Sequence, residues 1–154
     1  LGWRLALPVL LIDVFKGWFP AFVFPRLDGA GWEWALAYGA AAILGHVFSV
    51  YVNFKGGKGV ATGAGVFLAL APIGALVGLA VWLVLVLTTR IVSLASILAA
   101  PAVPITVYFT RGPDAVFWLA VALAVFIVYA HRTNIRRLLR GEEHRFGRRV
   151  GEAR

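Results

Sequence analysis

The chain has 154 residues, is 61% hydrophobic but only 14% charged, and carries a net charge of +8. A soluble domain averages about 45–50% apolar and about 25% charged residues, so at a mean hydropathy of +0.86 there is too little polar surface to coat a water-soluble globule. The composition excludes that class and implies an integral membrane protein.

The apolar runs follow one another with short breaks. Leu5–Val23 is interrupted by Asp13, Lys16, Gly17 and Pro20. Asp13 and Lys16 stand three apart and share a helix face, where they pair. An ionisable pair in a span is costly and faces the bundle interior, so a lock between helices is preferred over a catalytic role. Trp32–Tyr51 is a second span with aromatic residues at both ends, as interfacial rings sit. His46 lies near its far end, as a structural hydrogen-bonder or a substrate contact. Gly45–Thr62 then reads GHVFSVYVNFKGGKGVAT. Lys55 and Lys58 stand there among Gly56, Gly57 and Gly59, just before a helix start. Glycine-rich backbone, a helix N-terminus and two ammonium groups suit a phosphate. The same loop could instead anchor the protein to anionic headgroups, and it lacks the spacing of a Walker A sequence.

Val60–Ala71 is short for a span, which needs about 17–25 residues, and could cross or be re-entrant. Ile73–Thr89 carries no charge and ends at Arg90. Ile91–Thr110 is expected as one span, with Ser93 and Ser96 on one face, where serines usually pack or bond to a neighbouring helix. Arg111 to Asp114 forms a turn, and Ala115–Ala130 is the last span. In the tail, His131, Asn134 and Arg137 recur every three residues along one side of a helix, which could also lie at the interface with its arginines on headgroups. If Val60–Ala71 crosses, Arg4, Lys55, Lys58, Arg90 and the eight tail arginines fall on one side, with Arg26 and Arg111 opposite. The positive-inside rule favours that arrangement, with the basic side cytoplasmic. It also gathers Lys58, Ser96, His131 and Asn134 at one membrane face. The expectation is an all-α, polytopic membrane bundle of about six segments, forming one domain over residues 1–154.

Four stretches in order resemble one family. Gly45-His46 followed by Phe54-Lys55-Gly56-Gly57-Lys58-Gly59-Val60-Ala61-Thr62 resembles the central motif of the bacterial acyl-phosphate:glycerol-3-phosphate acyltransferases (PlsY). Leu11 to Gly17 resembles the family's L-D-x-x-K-G span, and Arg90 to Ser96 its R-[YIV]-x-S-L-x-S stretch. His131-Arg132-x-Asn134-Ile135-x-Arg137-Leu138-x-x-Gly141-x-Glu143 resembles its C-terminal motif. The resemblance implies a seven-helix enzyme of the bacterial inner membrane, with its site and C-terminal tail facing the cytoplasm. Such enzymes move a fatty acyl group from acyl phosphate to the 1-hydroxyl of glycerol 3-phosphate and release lysophosphatidic acid and phosphate.

On that resemblance Lys58, Ser96, His131 and Asn134 are the expected catalytic residues, with Lys58 on a substrate phosphate and His131 carrying the proton. Gly56, Gly57 and Gly59 are expected to form an anion nest. Lys55, Thr62, His46, Ser93, Arg137 and Glu143 complete the expected substrate-binding set. The family also carries an earlier helix and a loop of pattern S-G-N-x-G-A-T-N-x-x-R. Neither is present here, and no Met begins the chain, so the sequence is expected to be N-terminally incomplete and inactive on its own. No metal or organic cofactor is expected, nor any nucleic acid; the expected partners are the two substrates and membrane lipid, and the expected state is a monomer. A small transporter or channel for an anionic phosphorylated metabolite is the rival reading. It requires polar or broken helices near the midplane, whereas the polar residues here gather at one face. A lipid-bound assembly partner without catalysis is the third.

Overall fold

The computed structural model describes residues 3–29 and 31–146. Leu1 and the tail residues Arg148, Arg149 and Arg154 lie outside them. The described residues form eight α-helices: α1 (Trp3–Leu27), α2 (Trp32–Val47), α3 (Val60–Leu70), α4 (Pro72–Thr89), α5 (Val92–Ala99), α6 (Ala102–Arg111), α7 (Ala115–Ala130) and α8 (Arg132–Leu139). A 3-10 turn over Val50–Val52 follows α2. Four stretches are long and apolar enough to cross a membrane: Arg4–Leu27, Trp32–Val52, Pro72–Thr89 and Val92–Arg111. The pair α7–α8, bent by 54° at His131, makes a fifth if it is taken as one span.

Two expectations change in detail. The stretch expected as one helix over Ile91–Thr110 is broken at Ala100 and Pro101 into α5 and α6. Proline has no N–H to donate and its ring crowds the carbonyl four residues back, so the ladder stops there. The helix from Trp32 ends at Val47 rather than at Tyr51. Beyond it Asn53 and Phe54 both take left-handed backbone angles, which turn the chain into the glycine loop.

The short α3 is the axis of the bundle. It packs against α1, α2, α4 and α7, and Thr62, Gly63, Gly65, Val66, Phe67 and Leu70 are all buried. Small residues permit this. A Cβ on Gly17 would overlap the carbonyl oxygen of Thr62, and one on Gly65 would overlap that of Val14. The α1 and α3 backbones thus touch directly, the usual way helices associate where no hydrophobic force operates between them.

The two ends of α3 fix its direction. Its start adjoins Lys58, while the carbonyl of Leu70 at its end accepts a 2.6 Å bond from Arg111 Nη1 at the end of α6. Arg90 and Ser93, at the other end of the α5–α6 stretch, lie on the Lys58 side. The two ends of α3 therefore lie toward opposite ends of the α5–α6 stretch. At 11 residues α3 is about 16 Å long, well short of the roughly 30 Å hydrocarbon layer.

Candidate functional site

Lys58 stands at one end of a polar network. It immediately precedes Gly59, whose φ of +78° places it in the left-handed region just before α3. That turn suits glycine, and it aims the preceding lysine across the start of α3 toward α8. There Lys58 Nζ donates to Asn134 Oδ1 at 2.5 Å. Asn134 is buried on α8 and donates through Nδ2 to Glu143 Oε1 at 2.6 Å. The same carboxylate accepts from Ser93 Oγ of α5 at 2.7 Å and from Arg137 Nε at 2.8 Å. Five of the expected site residues are thereby joined in one network.

The charges of the network follow from these contacts. Partial burial lowers the pKa of Lys58 below that of an ordinary lysine; the Glu143 carboxylate opposes the shift and the Arg137 guanidinium adds to it. For Glu143, burial pushes the pKa up, but the bonds from Asn134 and Ser93 and the charge of Arg137 outweigh it, and the carboxyl stays below the usual range.

His131 stands at the α7–α8 bend, only 4% exposed. Its Nδ1 lies 2.8 Å from the carbonyl oxygen of Ile127. A carbonyl can only accept, so Nδ1 carries the proton in the neutral ring and Nε2 keeps its lone pair. That is the tautomer a proton acceptor needs.

The remaining expected residues are placed differently. Gly56 N–H donates to the carbonyl of Val47 and Gly57 N–H to that of His46. Each amide has one proton, so these two N–H groups cap the end of α2 rather than line the expected anion nest, while Gly59, its third expected member, stands at the start of α3. A Cβ on Gly56 would overlap the His46 carbonyl, and one on Gly57 would overlap the His46 ring; close packing is what these glycines provide. His46 belongs to a second cluster, with Nδ1 3.9 Å from Asp13 Oδ1. Asp13 in turn accepts from Lys16, the intrahelical pair expected of α1. Ser96 is buried, donates to the carbonyl of Val92 at 3.0 Å and accepts from Trp82 Nε1 at 3.1 Å, so it faces α4. Lys55 is exposed in the loop. Thr62 is fully buried and its hydroxyl has no partner among the described residues. Sequence reasoning missed Trp82; the signal was an indole N–H in an uncharged span, where it must find an acceptor.

Beside the second cluster a groove of about 570 Å³ opens between α1 and α2. Phe15, Phe19, Phe24 and Pro20 line its apolar length, and Lys16, His46 and Ser49 line its polar part.

The chain is similar throughout to known membrane acyltransferases. Residues 1–141 match the family described as Glycerol-3-phosphate acyltransferase. The Glycerol-3-phosphate acyltransferase of Fusobacterium nucleatum subsp. nucleatum is 44% identical over 146 residues, covering 95% of this chain and 75% of that protein. The crystal structure of PlsY (YgiH), an integral membrane glycerol 3-phosphate acyltransferase, superposes in its glycerol 3-phosphate form with a TM-score of 0.87 at 41% identity, over 96% of this chain and 74% of that one. Its lysophosphatidic acid form superposes with a TM-score of 0.84 at 40% identity, over 94% and 74%.

Proposed function

The chain belongs to the glycerol-3-phosphate acyltransferase family and is a multi-pass membrane enzyme; on that premise we propose that it uses acyl phosphate as the donor and forms lysophosphatidic acid at the face marked by Lys58. The observation that carries this reading is the meeting of Lys58, the start of α3 and the buried pair His131 and Asn134 at one end of the bundle. An ammonium beside a helix start is a site for a phosphate. A site at a membrane face admits the acyl chain from the bilayer and the polar acceptor from water.

The chemistry is short. The 1-hydroxyl oxygen of glycerol 3-phosphate attacks the acyl carbonyl, the new C–O bond forms, and the bond from carbon to the phosphate oxygen breaks. The hydroxyl proton passes to His131 Nε2, and inorganic phosphate leaves. An acyl phosphate is a mixed anhydride with a good leaving group, so no protein nucleophile is required. Positioning and stabilisation of developing negative charge supply the catalysis. Lys58 holds a substrate phosphate, and Asn134 sets its direction. We place this face toward the cytoplasm of the inner membrane, because Lys55, Lys58, Arg90 and the arginines of α8 lie there while Arg26 and Arg111 lie opposite. Crossing by α3 as well gives six passes, and the enzyme acts as a monomer. The transporter reading has no support among the relatives or the solved neighbours.

The test is phosphate release from palmitoyl phosphate by the intact protein in lipid, with and without glycerol 3-phosphate, for wild type and Lys58→Ala. Acceptor-dependent release that the substitution abolishes is expected. Wild-type protein that binds both substrates yet releases no phosphate would overturn the proposal.

A further inference from the structure

We infer that Glu143 is a positioning residue that fixes the side-chain amide of Asn134, so that its oxygen and not its NH2 faces Lys58. The inference rests on the reading of Lys58 as the phosphate-holding group. An asparagine amide is a donor at one end and an acceptor at the other, and its neighbours decide which way it points. Lys58 can only donate, so a reversed amide would set NH2 against NH3+. Glu143 prevents the reversal. Its carboxylate can only accept, and Oε1 takes the Asn134 Nδ2 donor at 2.6 Å.

The carboxylate is itself held firmly. Its side chain is 7% exposed, and three donors from two helices converge on it: Asn134 and Arg137 of α8 and Ser93 of α5. The chain delivers it by a defined turn. At the end of α8, Gly141 takes φ +70°, its N–H bonds to the carbonyl of Leu138, and the N–H of Glu142 bonds to that of Arg137. These are the two bonds of a Schellman cap, and they reverse the chain so that Glu143 folds back over α8. Phe146 N–H then pins the segment to the carbonyl of Arg90 at 2.7 Å. As an anion at this site, Glu143 repels a phosphate, so its expected role as a phosphate ligand gives way to an indirect one.

Glu143→Gln separates the roles. The amide keeps the size but supplies a single oxygen for donors that now occupy both carboxylate oxygens. If that oxygen faces Arg137, the stronger charge-assisted partner, the new NH2 faces Asn134 and turns it over. A displacement of this kind next to a reacting centre costs roughly 10- to 100-fold in kcat/KM.

The experiment is a double-mutant cycle on kcat/KM of acyl transfer by the intact enzyme in lipid, combining Glu143→Gln with Asn134→Ala. If Glu143 acts through Asn134, the substitution costs nothing further once the amide is gone. Losses that multiply would overturn the inference, as would a wild-type rate in Glu143→Gln alone. Should that variant fail to fold, Ser93→Ala removes a donor from the same oxygen and enters the same cycle. There a loss of a few fold that vanishes in the Asn134→Ala background is expected, and no loss or a multiplying loss overturns the inference. Wild-type protein that transfers no acyl group would overturn the proposed function instead.

Discussion

The two ends of the bundle each carry a basic side chain that reaches across helices, and they use it differently. At one end Arg111 donates to the carbonyl of Leu70, pairs with Asp114 through Nε at 3.0 Å and Nη2 at 2.9 Å, and lies 5.1 Å over the Trp32 ring. Asp114 in turn caps α7 by accepting from Phe117 N–H. The guanidinium thereby clasps α2, α3, α6 and α7, and each of its three nitrogens has a protein partner. At the other end Lys58 makes a single bond, to Asn134, and its remaining N–H groups find no protein acceptor among the described residues. A cation spent on backbone carbonyls and a carboxylate is architecture. One that is aimed and keeps donors free suits the phosphate-holding role proposed above.

The contrast is broken most strongly by Lys58→Ala. Losing a donor to developing charge costs about 10²- to 10³-fold in rate, and acyl transfer should fall at least that far while thermal unfolding stays near wild type. Arg111→Ala should do the reverse. Losing its bond to Leu70 and its pairing with Asp114 should cost about 1–2 kcal/mol, kept low because the pair is partly exposed. Unfolding should come earlier, with kcat/KM per folded molecule nearly unchanged. An activity loss in Arg111→Ala that exceeds its loss of folded protein would erase the distinction.

The pH profile sharpens it. Lys58 is shifted down, chiefly by burial, so it loses its proton below the value near 10.4 typical of lysine. The alkaline fall of kcat/KM should therefore be centred below that pH. Lys58→Arg keeps its charge throughout and should abolish this limb while running at a lower maximum, because a guanidinium fork does not replace a point charge. An unchanged alkaline limb in Lys58→Arg would assign the titration to another group. The smallest effect is expected for Thr62→Val. Its hydroxyl is buried with no partner among the described residues, and replacing it by a methyl removes an uncompensated desolvation cost. Stability should hold or rise by under about 1 kcal/mol, with activity within twofold. A large loss of activity would show that the hydroxyl serves the substrate.

Much of this was legible in the sequence, and the misses have physical causes. Hydropathy located α1, α2, α4 and α7, and charge asymmetry is what favours a crossing α3 over a re-entrant one. The family motifs named both Lys58 and Asn134, which meet although 76 residues separate them. The break in α5–α6 had its signal in Pro101, which hydropathy averages away. The glycine loop misled because composition shows that backbone can come close to something without showing to what; Gly56 and Gly57 come close to the end of α2. Glu143 was grouped with the ligands because its motif ran alongside theirs. Its indirect role depends on the left-handed turn at Gly141, and only the folded chain shows where that turn sends the carboxylate.

The most direct test of the central claim is transfer of label from glycerol 3-phosphate into lysophosphatidic acid, with palmitoyl phosphate as donor. Wild type, Lys58→Ala and Arg111→Ala would be compared in the same lipid at matched folded protein. Transfer by wild type and Arg111→Ala, but not by Lys58→Ala, is the predicted result. Transfer by Lys58→Ala at the wild-type rate would contradict the account.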